Sequence, residues 1–380
     1  MRDHYPTCLL IGDNSESFIE LCRSLRFSTH CAYKILASEA PFELDNFIHM
    51  EWSKLGALAI NALPVRETVL FISLIEGRLS VNSVFVEHQE DYNKILCREL
   101  KAVAETLQAT SDQSKQFLKE FVEMNFSGIK RILDAAPGEL RLDVLMDFES
   151  DPVLLSGFVR RSNGRVSLLG NNERELLVFG TGNEADKRYL SETITFSFSK
   201  DERANEIHSR IVHNEFQRHW KAYRAAGINV PLIMVQNLLG RKVRTRYFID
   251  PNDIAFLDEE VPRYIFDYDV VYFDLDETLI CKGKPIQDLR KLLHDYRDVN
   301  YVLKLITRHK FDIKDTLASI DVDHSIFHEI IPVLPDEKKS SFIDGRAIFI
   351  DNEFPERLDV SQKSQIPVLD LDQIEFLQRP

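Results

Sequence analysis

Few features of this chain point outside the cell. Its 380 residues hold only five cysteines, Cys8, Cys22, Cys31, Cys97 and Cys281. None forms a CxxC pair, which excludes a small disulfide scaffold and a cysteine-ligated zinc module. They read as reduced thiols of a cytoplasmic protein. No apolar run is long enough to cross a membrane, and Arg2, Asp3 and His4 lead into no sustained apolar segment, so neither a membrane span nor a signal peptide is expected. Positive charge is also in short supply, with 47 Lys and Arg against 61 Asp and Glu for a formal net charge of −14. That balance argues against nonspecific binding to nucleic acid or an anionic membrane. Gly180-Thr181-Gly182 lacks the lysine and following hydroxyl of a phosphate-binding loop. Gly12-Asp13-Asn14-Ser15 resembles the GDS block of SGNH esterases, but the serine comes one place late. His208, His213 and His219 are not spaced i, i+4, so they make no metal-binding pair on a helix. We see no repeat, low-complexity segment or long flexible linker.

With 44% hydrophobic and 28% charged residues, the composition is that of two or three ordinary globular domains. Asp274-Leu275-Asp276-Glu277-Thr278 follows the apolar run Val270-Val271-Tyr272-Phe273. Two carboxylates thus stand at the exit of a buried strand, where open α/β sheets carry their chemistry. Downstream, strand and helix alternate as in a parallel sheet. A helix beginning at Pro285 carries Leu289, Leu292, Leu293 and Tyr296 on one face, and the strand Tyr301–Ile306 ends on Thr307. A helix with Ile313, Leu317 and Ile320 comes next, then a short strand through Ile330 and Ile331, then Lys338 and Lys339. The strand Ala347–Ile350 ends on Asp351-Asn352-Glu353, and a last strand spans Ile366–Leu369. Each polar group falls at one edge of the expected sheet.

In those residues the segment 262–380 resembles a haloacid-dehalogenase-type (HAD) phosphohydrolase domain of the capless kind. Asp274 to Thr278 match the family's first motif, Thr307 the second, Lys338 or Lys339 the third, and Asp351 the fourth. The resemblance implies a Rossmann-like parallel sheet, a Mg²⁺ cofactor and an aspartyl-phosphate intermediate. It makes Asp274 the nucleophile and a metal ligand. Asp276 becomes the acid and base, touching the metal through its backbone carbonyl, while Asp351 is the remaining acidic ligand. Thr307 and Lys339 then bind the transferring phosphoryl, Lys339 being favoured over Lys338 because Ser340 and Phe342 resemble the family's helix start. The family often has a second acid where Asn352 stands, and an amide brings no charge there. About 30 residues separate Thr278 from Thr307 and a similar number separate Thr307 from the lysines, which leaves room for one helix and strand in each gap and for no cap domain. The tail through Glu356 and Arg357 is similar to HAD domains that accompany bacterial polysaccharide enzymes. Glu356 and Arg357 themselves are read as a surface ion pair.

Residues 1–261 are read as α/β or α+β, either one body or two, 1–139 and 140–261. Strands are expected at Thr7–Ile11, Glu67–Ile75, Val81–Val86, Leu142–Phe148, Val153–Arg160, Arg165–Leu169, Leu176–Phe179, Thr193–Phe198, Val230–Val235 and Val243–Ile249. Asn163-Gly164 is a hairpin turn. Helices are expected at Ser15–Leu25, twice between Glu90 and Ala136, and from Asp201 to Ala226 with Gly227 as the stop. The expected activity is that of a phosphatase acting on a phosphorylated small-molecule metabolite, a sugar, a nucleotide or a glycan precursor. One alternative is a bifunctional enzyme whose N-terminal region is an ATP-grasp-like ligase or transferase. The other is a HAD-fold binding protein without turnover.

Overall fold

In the computed structural model the chain divides into two compact units, one formed by Met1–Tyr223 and Ile228–Thr245, the other by Arg224–Gly227 and Arg246–Pro380. The structure describes residues 7–12, 16–25, 33–37, 66–75, 78–88, 111–146, 152–161, 166–177, 194–201, 206–212, 219–238, 247–256, 261–281 and 283–377.

The first unit holds two sheets. One has the order β2-β1-β3-β4, with β1 (Thr7–Gly12) between β2 (Tyr33–Ala37) and β3 (Glu67–Ile75), both parallel to it, and β4 (Arg78–Val86) returning antiparallel from β3. Helix Glu16–Leu25 buries Phe18, Leu21 and Leu25, the one-face spacing of an amphipathic helix. The other sheet is antiparallel, in the order β7-β6-β5-β8-β9: β5 is Gly138–Met146, β6 Pro152–Arg161, β7 Val166–Leu168, β8 Ile194–Asp201 and β9 Glu206–Val212. Strict alternation divides its faces. Leu140, Leu142 and Val144 of β5, with Phe196 and Phe198 of β8, pack against Phe121, Ile129, Ile132 and Leu133 of helix Ser111–Ala135. Glu139, Arg141 and Asp143 take the opposite face.

Several sequence expectations fail in this unit. The helix expected from Asp201 is instead β9 followed by the short helix Trp220–Ala225. Ile207 and Ile211, four apart, share a face in a strand as well as in a helix, and the pairing with β8 decides between them. Val230–Val235 lies in helix Val230–Leu238. Its run of apolar residues suits either a buried strand or a buried helix, and the deciding signal is local: the Asn229 side chain accepts from the Leu232 amide at 3.1 Å, and Pro231 occupies the first turn. Of the strands expected at Leu176–Phe179 and Val243–Ile249, Leu176 and Leu177 lie in and just after a turn and Phe248 and Ile249 form a bend, while residues 178–179 and 243–246 lie outside the described residues. The first of the two helices expected between Glu90 and Ala136, the Asn163-Gly164 turn, His213, and the glycines at 180 and 182 lie outside the described residues. Gly227 does end its helix, at φ 98°, where an added Cβ would meet Phe248.

The second unit opens with an antiparallel ribbon of β10 (Ile254–Phe256) and β11 (Pro262–Tyr264). Pro262 therefore begins a paired strand, and the unit takes in residues upstream of it. The five-stranded sheet that follows is wholly parallel, in the order β16-β15-β12-β17-β18. Here β12 is Val270–Phe273, β15 Val302–Thr307, β16 Glu329–Pro332, β17 Ala347–Ile350 and β18 Val368–Leu369, and a small hairpin of β13 (Ile280–Cys281) and β14 (Lys284–Pro285) follows β12. Helices Gln287–Asp298, Ile313–Ser319 and Phe354–Ser364 make the connections. The first of them buries Leu289, Leu292, Leu293 and Tyr296. All four residues of β17 are buried, as expected of a strand covered on both faces. The chain runs from β12 outward through β15 and β16, then crosses back to β17 on the other side of β12. That reversal makes the carboxyl ends of the central strands a topological switch point, the position where open α/β sheets bind their ligands.

Candidate active site

Asp274 and Asp351 are the first residues beyond β12 and β17, and because Phe273 pairs with Ile350, the two carboxylates leave the sheet side by side. The Asp274 amide donates to Ile350 O at 3.0 Å and the Asp351 amide to Leu369 O at 3.1 Å, so the ladder continues through both. Lys339 reaches them from the 3₁₀ turn Lys339–Phe342 that follows β16. Its Nζ lies 2.7 Å from Asp274 Oδ1 and 2.7 Å from Asp351 Oδ2. All three side chains are buried, whereas Lys338 faces solvent. Of the two lysines, Lys339 therefore makes the contacts with both acids.

Two carboxylates and one ammonium, nearly dry, leave one negative charge without a partner. Burial pushes the Asp274 carboxyl up to about 7, the adjacent Asp351 charge adds to the rise, and Lys339 only partly offsets it. Burial alone would lower the Lys339 ammonium, but the Asp351 and Asp274 charges override it and hold it above its ordinary value.

The turn after Asp274 is tight. Glu277 adopts φ 56°, a left-handed conformation that a non-glycine side chain disfavours, and it brings Thr278 back beneath Asp274. Thr278 Oγ1 lies 3.1 Å from Asn352 Oδ1 and 3.4 Å from Asp274 Oδ2, and it accepts from the Asn352 amide at 3.2 Å. Asn352 thus fastens this turn to the end of β17.

Thr307 ends β15, beside β12, and is buried, with its hydroxyl accepting from the His309 amide at 3.1 Å. Asp276 stands apart from the buried cluster. Its carboxylate is about half exposed and lies 2.9 and 3.0 Å from His309 Nδ1, while His309 Nε2 lies 2.9 Å from Thr316 Oγ1. The sequence reading did not pick out His309, whose only signal was a place two residues past Thr307. It also misplaced Arg357. That guanidinium is buried, donates to Asp351 O at 2.6 Å and pairs with Asp370 at 2.6 Å, while Glu356 bonds Arg308 at 2.6 Å. Neighbours on a helix point about 100° apart, so Glu356 and Arg357 serve different partners and do not pair with each other.

Among the described residues, no three His, Cys, Asp or Glu side chains are gathered as a metal cluster. The donor set present is two adjacent carboxylates, Asp274 and Asp351, bridged by Lys339. Oxygen-only ligands with room for waters suit Mg²⁺, and the uncompensated charge of the pair is what a divalent cation would neutralise. The residues fit such an ion.

No family model matches the chain, and no curated protein matches it. Among solved structures, the chain is similar to a multifunctional pyruvate carboxylase from Rhizobium etli, with TM-score 0.30 and 11% identity over 62% of this chain and 28% of the carboxylase. It is also similar to the apo-form glycosyltransferase GlyE of Streptococcus pneumoniae TIGR4, with TM-score 0.19 and 8% identity over 96% of this chain and 90% of that one. The chain thus spans less than a third of the carboxylase. Among the described residues, no helix is long and apolar enough to cross a membrane.

Proposed function

We propose that the C-terminal unit is a HAD-type phosphohydrolase that cleaves phosphomonoesters through an aspartyl-phosphate on Asp274. The observation that carries this reading is the approach of Lys339 Nζ to both Asp274 and Asp351 at 2.7 Å, at the carboxyl edge of a parallel sheet. A carboxylate buried beside a fixed ammonium is oriented for attack while the ammonium offsets charge on the incoming phosphoryl.

A carboxylate oxygen of Asp274 forms the bond to phosphorus as the ester oxygen departs. Asp276, exposed and held by His309, gives its proton to that oxygen. It then takes a proton from water, whose oxygen attacks the same phosphorus; the bond to Asp274 breaks and inorganic phosphate leaves. Thr307 donates to a phosphoryl oxygen, and Lys339 holds charge on the same group. Asp274, Asp351 and the backbone carbonyl of Asp276 would hold Mg²⁺. When bound, Mg²⁺ shields the attacking carboxylate from the phosphate dianion. Arg357, bonded to Asp351 O, and Thr278, beneath Asp274, fix the acids in place without touching the substrate.

A phosphate-release screen over a panel of phosphomonoesters tests the reading. Turnover that requires Mg²⁺ and is lost in Asp274→Asn, by about three orders of magnitude or more, is expected. Unchanged turnover in that variant would place the chemistry elsewhere.

A further inference from the structure

We infer that Phe311 is the platform on which the substrate's leaving group rests, and that this leaving group carries a ring with a flat apolar face. The inference depends on the phosphohydrolase reading of the same site and names the substrate class that the reading leaves open. Phe311 lies in the segment between β15 and helix Ile313–Ser319, and it is 79% exposed, more than any other large apolar side chain among the described residues.

Looseness of the segment does not explain that exposure. Arg308 bonds Glu356 at 2.6 Å and Glu337 O at 2.7 Å, and the His309 amide donates to Thr307. Asp312 caps the following helix by accepting from the Asp315 amide at 3.0 Å, and its carbonyl accepts from Thr316 Oγ1 at 2.7 Å. A segment anchored on both sides of Phe311 presents its ring to solvent.

The position of the ring gives the exposure its meaning. Its centroid lies 5.6 Å from that of His309, at 63° between planes, and His309 in turn holds the Asp276 carboxylate. The leaving oxygen must come within hydrogen-bond reach of Asp276 to receive its proton. Whatever that oxygen is attached to therefore extends over His309 and toward Phe311. Leu334, 60% exposed, follows the neighbouring strand β16 in a segment joined to this one through Arg308 and Glu337. These surfaces offer ring stacking and apolar contact but no hydrogen-bond code. They select a class of leaving group by shape, an aromatic or sugar ring over a short chain.

The test uses the full chain with Mg²⁺ and three probes: phenyl phosphate, glucose 6-phosphate and glycerol 1-phosphate. The readout is the ratio of kcat/KM for each ring probe to that for the glycerol ester, in wild type, Phe311→Ala and Phe311→Trp. At least one ratio should fall roughly threefold to tenfold in Phe311→Ala and recover in Phe311→Trp; the ratio that falls tells an aromatic ring from a sugar ring. Ratios unchanged in Phe311→Ala would overturn the inference, while Asp274→Asn run alongside shows separately whether the phosphohydrolase reading stands.

Discussion

Two buried aspartates, one in each unit, show how differently a protein handles a carboxylate taken out of water. Asp143, on the polar face of the antiparallel sheet, accepts from the Thr195 and Tyr223 hydroxyls and lies 2.9 Å from His219 Nδ1, whose ring packs 4.5 Å from Phe158. Every one of those partners can donate, and none brings a second carboxylate. Asp274 has the opposite surroundings: an adjacent acid, Asp351, and one lysine shared between them. The first arrangement is complete as it stands, and its value is to fix His219 and the helix Trp220–Ala225 that follows it onto the sheet. The second leaves charge unmet, which costs stability and is tolerated where a ligand supplies the missing charge.

The contrast can be broken most severely at Lys339. In Lys339→Met, two buried carboxylates lose the cation they share, and denaturant unfolding in the absence of divalent ions should show a loss of about 3–5 kcal/mol, part of which Mg²⁺ restores. A loss that Mg²⁺ leaves untouched would remove the distinction between the two sites. Asp143→Asn sets an amide against three donors and should cost about 2–4 kcal/mol, with or without Mg²⁺.

Asp274→Asn should move stability the other way. Because the folded carboxyl is raised from 3.8 to about 7, the wild type keeps the stability of its protonated form below the lower value and loses it as pH climbs through the higher one. Replacing the acid removes that loss, so without metal the variant should exceed wild type by about 1–3 kcal/mol near pH 8, the gap closing toward pH 4. Wild type and variant with parallel pH profiles would contradict the surplus-charge account.

The smallest effect belongs to Glu139. Burial works against its charge, but hydrogen bonds from Ser197, Arg141 and Arg210 prevail and hold the carboxyl at about 2, against an ordinary 4.5. A group depressed in this way stabilises the fold above its unfolded value and stops doing so as pH falls through the folded one. Glu139→Gln should flatten that acid limb between about pH 4.5 and 2 by less than about 1 kcal/mol, measured by thermal unfolding.

The two units also differ in how far they were legible from sequence. A parallel sheet covered on both faces writes its strands as short apolar runs, so Val270–Phe273 and Ala347–Ile350 could be located directly, with Asp274 and Asp351 just past their ends. The antiparallel unit was harder, because apolar residues four apart at Ile207 and Ile211 satisfy both periods, and because Val230–Val235 has no polar face to mark its period. What brings Lys339 rather than Lys338 to the acids is the direction of a single 3₁₀ turn, which the sequence marked only through the likeness of Ser340 and Phe342 to a family's helix start. His309 was missed, and Arg357 was assigned the wrong partner, because their roles depend on residues beyond their own turn, Asp276 in one case and Asp370 in the other.

The central claim is that the overloaded carboxylate cluster transfers phosphoryl groups through Asp274. Acid quenching of the enzyme during Mg²⁺-dependent turnover of a radiolabelled phosphomonoester, followed by peptide mapping, tests it most directly. The account predicts label on the peptide containing Asp274 and none in Asp274→Asn; label on another residue, or turnover that survives in the variant, would contradict it.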